Sequence, residues 1–239
     1  MYENAAMPPA PTGSSEHPDT HGPAWRRRTE GEQRWWAALA MLAAIGLQLL
    51  FPDRFAVHPR YLLSGIEMAA LLIIFALQPT RITERSVLLR TASQVLLALI
   101  AATNGVSAAM LLHEITSGQS LPAGQLLLGG AEIWLTNVIV FALWYWEYDR
   151  GGPASRAQGI HDTPDLLFPQ LTDDKLAADW EPIFIDYFYV AYTNATAFSP
   201  TDTMPLSRWA KVLFMVQSAI SIVLVALIVA RAVNILPGT

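Results

Sequence analysis

Val212–Ala230, VLFMVQSAISIVLVALIVA, contains no charged residue. A helix needs about 20 apolar residues to cross roughly 30 Å of hydrocarbon, so this run reads as a transmembrane span. Four more runs of that kind precede it, at Trp35–Phe51, Tyr61–Gln78, Thr91–Leu112 and Leu126–Trp146. Pro52, Pro59, Pro79 and Pro122 fall in the gaps between the first four, where a residue without a backbone N–H closes one helix and opens the next. The whole chain agrees with that reading: 53% of the 239 residues are hydrophobic and 15% are charged, against about a quarter charged in a soluble globular domain. Mean hydropathy is +0.32. The expected fold class is therefore an all-α integral membrane protein with about five transmembrane helices.

Several functions are excluded by composition. There is no cysteine, hence no disulfide framework, thiolate metal site or cysteine nucleophile. The net charge of −5 argues against nucleic acid, because the arginines stand in short groups beside apolar runs instead of along one basic face. Phosphate-loop, His-Glu-x-x-His and Gly-x-Ser-x-Gly patterns are absent, so neither an enzyme nor a cofactor or resident metal is expected. His17 and His21 lack a third ligand nearby, and His58, His113 and His161 are scattered singly.

Residues 1–33 are rich in Pro, Ser, Thr and Gly without a periodic apolar face and read as a disordered cytoplasmic tail. Its arginines come late, unlike those of a signal peptide, so the tail is expected to be retained. Orientation follows from arginine placement. With the amino terminus inside, nine arginines (26, 27, 28, 34, 81, 85, 90, 150 and 156) are cytoplasmic and two, Arg54 and Arg60, are outside, which satisfies the positive-inside rule. Trp35 and Trp36, and Trp144, Tyr145, Trp146 and Tyr148, read as rings at headgroup level. The expected setting is a bacterial plasma (inner) membrane, with the lipid bilayer as the first partner.

Residues 34–148 then form a four-helix membrane bundle, and 149–181 a polar linker of irregular structure, carrying Asp149-Arg150-Gly151-Gly152-Pro153. Residues 182–239 hold something different. Ile183–Thr196, IFIDYFYVAYTNAT, is aromatic and apolar, but its 14 residues span only about 21 Å as a helix. AFSPTDTMP follows, with two prolines, and leads into the last span. A short helix, a non-helical return and a closing span make the outline of a pore loop.

The run Asp186-Tyr187-Phe188-Tyr189-Val190-Ala191 through Thr196, followed by Asp202 and by Pro205 three residues later, resembles the pore region of two-helix potassium channels. There an aromatic pore helix leads into a filter reading Thr-Val-Gly-Tyr-Gly-Asp, with a proline three residues after the aspartate. Placed here, the filter falls on Ala197, Phe198, Ser199, Pro200, Thr201 and Asp202. Only the aspartate is kept, and Thr196 supplies the threonine if the register slips by one. The same third of the chain, with the fourth span before it, is still more similar to a bacterial family of multi-span proteins called DUF1345, which carries no known activity.

Both filter glycines are replaced, and Pro200 fixes its own φ while biasing Ser199 toward an extended conformation. Stacked carbonyl rings are then not expected. The channel resemblance implies instead a wider mouth lined by Thr196, Ser199 and Thr201 and ringed by Asp202, passing monovalent cations with little discrimination, in a homo-oligomer, a tetramer if a channel. The alternative is a capped turn, with Asp202 or Ser207 starting the last helix, in a non-conducting scaffold or partner subunit. Charge placement puts this loop on the cytoplasmic side, so it is either an inverted re-entrant loop or a sixth, tilted span.

Glu67, Glu132 and Arg231 lie within the spans. An ionisable group there is costly without a partner or a watery cavity. Glu132 and Arg231 can pair between helices, or Glu67 or Glu132 can relay a proton or cation.

Overall fold

The computed structural model describes residues 23–51, 56–77, 86–117, 122–160, 163–196 and 202–235, with backbone alone for 60, 123, 174 and 231–235. The residues described are predominantly helical. All five apolar runs are helices: α1 (Trp35–Leu50), α2 (Arg60–Leu77), α3 (Val87–Thr116), α4 (Ala123–Tyr148) and, numbered in chain order, α8 (Arg208–Ile235). Helix α3 starts ahead of the expected Thr91 because the Ser86 hydroxyl accepts from the Leu89 amide at 3.3 Å and caps it.

Length and composition separate these helices. Val87–Thr116, Gly124–Gly151 and Arg208–Ala230 are long and apolar enough to cross a membrane. The 16 residues of α1 and 18 of α2 reach only about 24 and 27 Å.

Helix α4 is the axis of the bundle. Its crossing window is 67% buried, against 39% for α3 and 22% for α8, and it touches α1, α3, α8 and the short helix α7 (Phe184–Thr196). Consecutive residues from Thr136 to Leu143 are all buried, as a helix without a polar face requires. Gly130 lets α8 approach, since a Cβ there would collide with the Ile228 side chain. The outside is apolar too: Leu62, Ile66, Leu72 and Ile73 on α2, and Val212, Met215, Ile222 and Val229 on α8, are exposed. Such an exterior suits lipid, because soluble proteins rarely expose apolar surface on this scale.

The linker is more ordered than its composition suggests. It holds a single turn at Asp149–Gly151, α5 (Pro153–Ala157), β1 (Leu166–Leu167), a turn at Pro169–Thr172 and α6 (Asp174–Ala177). Strand β1 pairs antiparallel with β2 (Met204–Pro205), Leu166 opposite Pro205 and Leu167 opposite Met204. The organiser is Asp149, 1% exposed. Its Oδ1 accepts from the amides of Asp165 (3.0 Å) and Leu166 (3.2 Å), and its Oδ2 accepts from the Tyr187 hydroxyl (2.7 Å). Asp165 answers by accepting from the Arg150 amide at 2.9 Å and the Trp209 indole at 3.0 Å. Arg150 adopts φ +51°, followed by Gly151 at +77° and Gly152 at +94°, so the chain reverses in a left-handed turn that costs a non-glycine residue about a kilocalorie or more.

Residues 23–34 pack on this end of the bundle. The Arg150 guanidinium donates to the Trp25 carbonyl, the Ala24 amide to the Ala178 carbonyl (3.1 Å), and the Thr29 amide to the Ala157 carbonyl (2.9 Å). Glu32 accepts from the Trp146 indole and the Phe184 amide, with Arg156 at 4.0 Å. Burial pushes the Glu32 carboxyl up, while these donors and the Arg156 charge pull it back.

Removing the Asp149 carboxylate strands two backbone amides and takes away the negative charge 3.9 Å from the buried Arg150 guanidinium. Asp149→Ala should therefore destabilise the detergent-solubilised protein by about 3–5 kcal/mol. Tyr187→Phe, which deletes one hydroxyl, should cost only about 1–2 kcal/mol. Denaturant or thermal unfolding followed by tryptophan fluorescence checks both, and equal costs would deny Asp149 its organising role.

Candidate functional site

Helix α7 opens beside the end of α4. The Phe184 ring lies 6.2 Å from that of Trp146, and Asp186 closes the first turn by accepting from the Ile183 amide at 2.8 Å. Tyr187, Val190, Ala191 and Ala195 face inward and are buried, while Ile185, Tyr189 and Tyr192 are exposed, the i, i+3, i+4 division of an amphipathic helix.

The far end of α7 is held by α8. Asn194 donates through its side-chain amide to Gln217 Oε1 at 2.8 Å and to the Phe214 carbonyl at 3.1 Å. Gln217 in turn donates to the Ala191 carbonyl at 2.8 Å and accepts from the Tyr145 hydroxyl at 2.7 Å. The Ser218 hydroxyl reaches Asn194 Oδ1 at 3.0 Å and its carbonyl at 3.3 Å, and Thr196 donates to the Thr193 carbonyl at 2.8 Å. The last carbonyls of a helix have no partner within it; here side chains of α7 and α8 supply partners for those of Thr193 and Asn194, and Gln217 bonds the Ala191 carbonyl a turn earlier. Nearby, Asn137 donates to Ser221 at 3.2 Å, both buried.

Depth follows from helical rise. Ser218 stands ten residues after the first residue of α8, about 15 Å along its axis. Yet the chain is back at the opening end soon afterwards. Asp202 accepts from the Tyr189 hydroxyl at 3.4 Å, and the Trp209 ring lies 5.7 Å from that of Tyr148.

The expected pore lining is thus placed at its two ends. Thr196 is half-buried on the last turn of α7, and Asp202 is exposed beside Tyr189; Ala197, Phe198, Ser199, Pro200 and Thr201 lie outside the described residues. Of the two expected caps for α8, the structure uses Ser207, whose hydroxyl accepts from the Ala210 amide at 3.4 Å. Asp202 is left to Tyr189. The aromatic cluster at the end of α4 is turned partly inward. Tyr148 is exposed, but Tyr145 is fully buried on Gln217 and Trp146 is 4% exposed. The Trp35–Trp36 pair does face outward, stacked at 3.7 Å.

A second polar site joins two of the expected intramembrane charges. Glu67 is 0% exposed; its Oε1 accepts from Thr103 at 3.5 Å, and its Oε2 has no partner. The Gln48 side chain approaches it without completing a hydrogen bond of its own. Thr103 and Gln48 line a cavity of about 20 Å³ together with Ser64, Asn104, Ser107, Glu132 and Thr136, which is room for one water-sized species. Glu132 Oε2 also lacks a partner. The side chain of Arg231, the expected partner of Glu132, lies outside the described residues. Hard oxygen donors of this kind suit hard cations. No group of three or more His, Asp or Glu side chains placed to hold a metal ion occurs among the described residues.

The chain matches no known protein family, no curated protein and no solved structure. Its site therefore stands on its own geometry.

Sequence reasoning missed the meeting of Asn194 and Gln217 with Tyr145 and Ser218. The signal was there in Gln217, a full amide in the middle of an uncharged span. Gln217→Leu removes three side-chain hydrogen bonds at once and should lower stability by about 2 kcal/mol, at the upper end of what interhelical polar contacts contribute in membranes. Adding Asn194→Ala should cost less than it does alone, because one of its partners is already gone. Thermal unfolding of the two single variants and the double variant measures the coupling; strict additivity would dissolve the proposed network.

Proposed function

We propose that this chain is a five-span protein of a bacterial plasma membrane in which α7 is a re-entrant helix. Several copies, with the loop from Thr196 to Asp202 at the shared mouth, form a poorly selective cation pathway. One observation carries this reading: α7 leaves from the same end of the bundle to which Trp209 returns, and stops about 15 Å along α8 with the carbonyls of Thr193 and Asn194 in its last turn bonded to side chains. Backbone that ends inside hydrocarbon is tolerated only where protein or water satisfies it. A capped half-length helix is what such a site needs. The likeness of its sequence to a potassium-channel pore helix points the same way, and α1 and α2 reach across by local thinning of the bilayer. The exposed Ile185, Tyr189 and Tyr192 stripe is then the face α7 offers to a neighbouring copy or to lipid.

Asp202 carries the test. Its copies around one mouth concentrate cations by their combined field. In reconstituted vesicles Asp202→Asn should lower cation flux, most strongly at low salt where screening is weak, and leave thermal stability nearly unchanged. A monomer in both detergent and lipid, or vesicles tight to every alkali cation, would leave a non-conducting scaffold or partner subunit instead. Topology is checked separately. A reporter fused after Thr239 should appear outside and one inserted near Gly159 inside; if both report inside, α7 is a sixth span.

A second reading rests on Glu67. A buried carboxylate oxygen without a partner beside an oxygen-lined cavity supports an intramembrane proton or cation site within each subunit. Flux abolished by Glu67→Gln and indifferent to Asp202→Asn would move the pathway from the loop into the α1–α4 bundle.

A further inference from the structure

We propose that the cleft where the ends of α1, α2, α3 and α4 meet is a binding site for one anionic phospholipid, its phosphate at Arg34 and Arg90 and its acyl chain on the floor below. The inference rests on the membrane reading above and is independent of conduction. Among the described cavities this is the roomy one, about 300 Å³, a volume typical of small-molecule sites. Its two ends differ chemically. Arg34 and Arg90 stand at the mouth with Ser93 and the Gly151–Gly152 turn; the buried Met41 and Leu71, each six residues in from the near end of α1 or α2, form the floor, and Ile74 and Phe75 form the α2 wall.

Both arginines are held in place by polar neighbours. Arg90 Nε meets Glu147 Oε1 at 3.1 Å with its side chain still 44% exposed and that of Glu147 only 9%. Arg34 donates to the Ser93 hydroxyl at 3.3 Å. Among the described lining residues two guanidinium groups face one carboxylate, an excess of positive charge. A guanidinium offers five donors in a planar fork that matches phosphate oxygens. Gly152 keeps the α4 turn open beside them: a Cβ there would stand 2.7 Å from the Glu147 carbonyl and 3.6 Å from the Arg90 guanidinium.

The floor selects a lipid over free phosphate. Met41 lies six residues beyond Trp35 on α1, about 9 Å below the mouth, and the Trp35–Trp36 stack marks the headgroup level just above it. A phosphate alone would leave the apolar bottom unfilled, whereas a glycerophospholipid satisfies both ends. By the arginine count this end of the bundle is cytoplasmic, the side on which membranes carry their anionic lipid.

The experiment uses the full chain, delipidated in a neutral detergent. Short-chain phosphatidylglycerol, phosphatidylcholine of the same chains, and inorganic phosphate are compared by thermal unfolding and native mass spectrometry. Phosphatidylglycerol should raise the unfolding midpoint and remain as one bound lipid, at least tenfold more tightly than phosphatidylcholine, and phosphate should do neither. Arg90→Gln should erase that preference. Ala38→Phe, which fills the cleft and keeps both arginines, should lose the bound lipid even if Arg90→Gln fails to fold. Equal effects of the two lipids, stabilisation by phosphate alone, or retention by Ala38→Phe would each overturn the proposal. A protein that purifies without detergent would instead defeat the membrane reading itself.

Discussion

Everything at one end of this bundle is referred to a single buried carboxylate. Asp149 ends α4 and holds three partners that are far apart in sequence: the amides of Asp165 and Leu166 in the linker and the hydroxyl of Tyr187 on α7. A charge so deeply buried is tolerated only when every lone pair is engaged, so its partners cannot move independently. Because Leu166 also pairs with Pro205, the same anchor positions the return of the chain toward α8. The left-handed Arg150 is explained in these terms. Its backbone turn brings the Arg150 amide onto Asp165 while its guanidinium reaches Trp25, and the surrounding contacts offset the conformational cost.

The apolar runs were legible because crossing hydrocarbon leaves little freedom in length or composition. Proline and arginine marked the ends for equally simple reasons. What the sequence hid is everything that depends on two distant polar residues meeting. Asp149, Arg150 and Asp165 sit in a stretch rich in Gly, Pro and Asp, which by local rules is a solvated loop; nothing in its pattern reveals that Tyr187 will descend onto it. Tyr145 misleads in the opposite sense. Its neighbours Trp144, Trp146 and Tyr148 suggest an interfacial ring, yet the roughly 100° between successive helical residues turns Tyr145 onto Gln217 in the bundle interior. Asp202 and Ser207 are both good caps, and only the geometry of the β1–β2 pair decides for Ser207.

The polar groups inside the bundle fall into two populations. Between α4, α7 and α8, those of Asn137, Tyr145, Asn194, Gln217, Ser218 and Ser221 are matched to partners, with the Trp134 indole beside Tyr192 the exception. Among α1 to α4, by contrast, Gln48, Glu67, Glu114 and Glu132 each keep a buried side-chain atom without a hydrogen bond. In an apolar interior each such atom carries a desolvation cost of about 1–3 kcal/mol, so the first population stabilises the fold and the second draws on that stability. Satisfied networks rigidify, and one of them holds the short helix α7 against α4 and α8. Unsatisfied oxygens persist where a fold is stable enough to hold them, and they are the groups with capacity left for a proton or a cation. The division follows the chain: the α7 half is tied to the Asp149 anchor, and the oxygen-lined cavity lies in the half that is not.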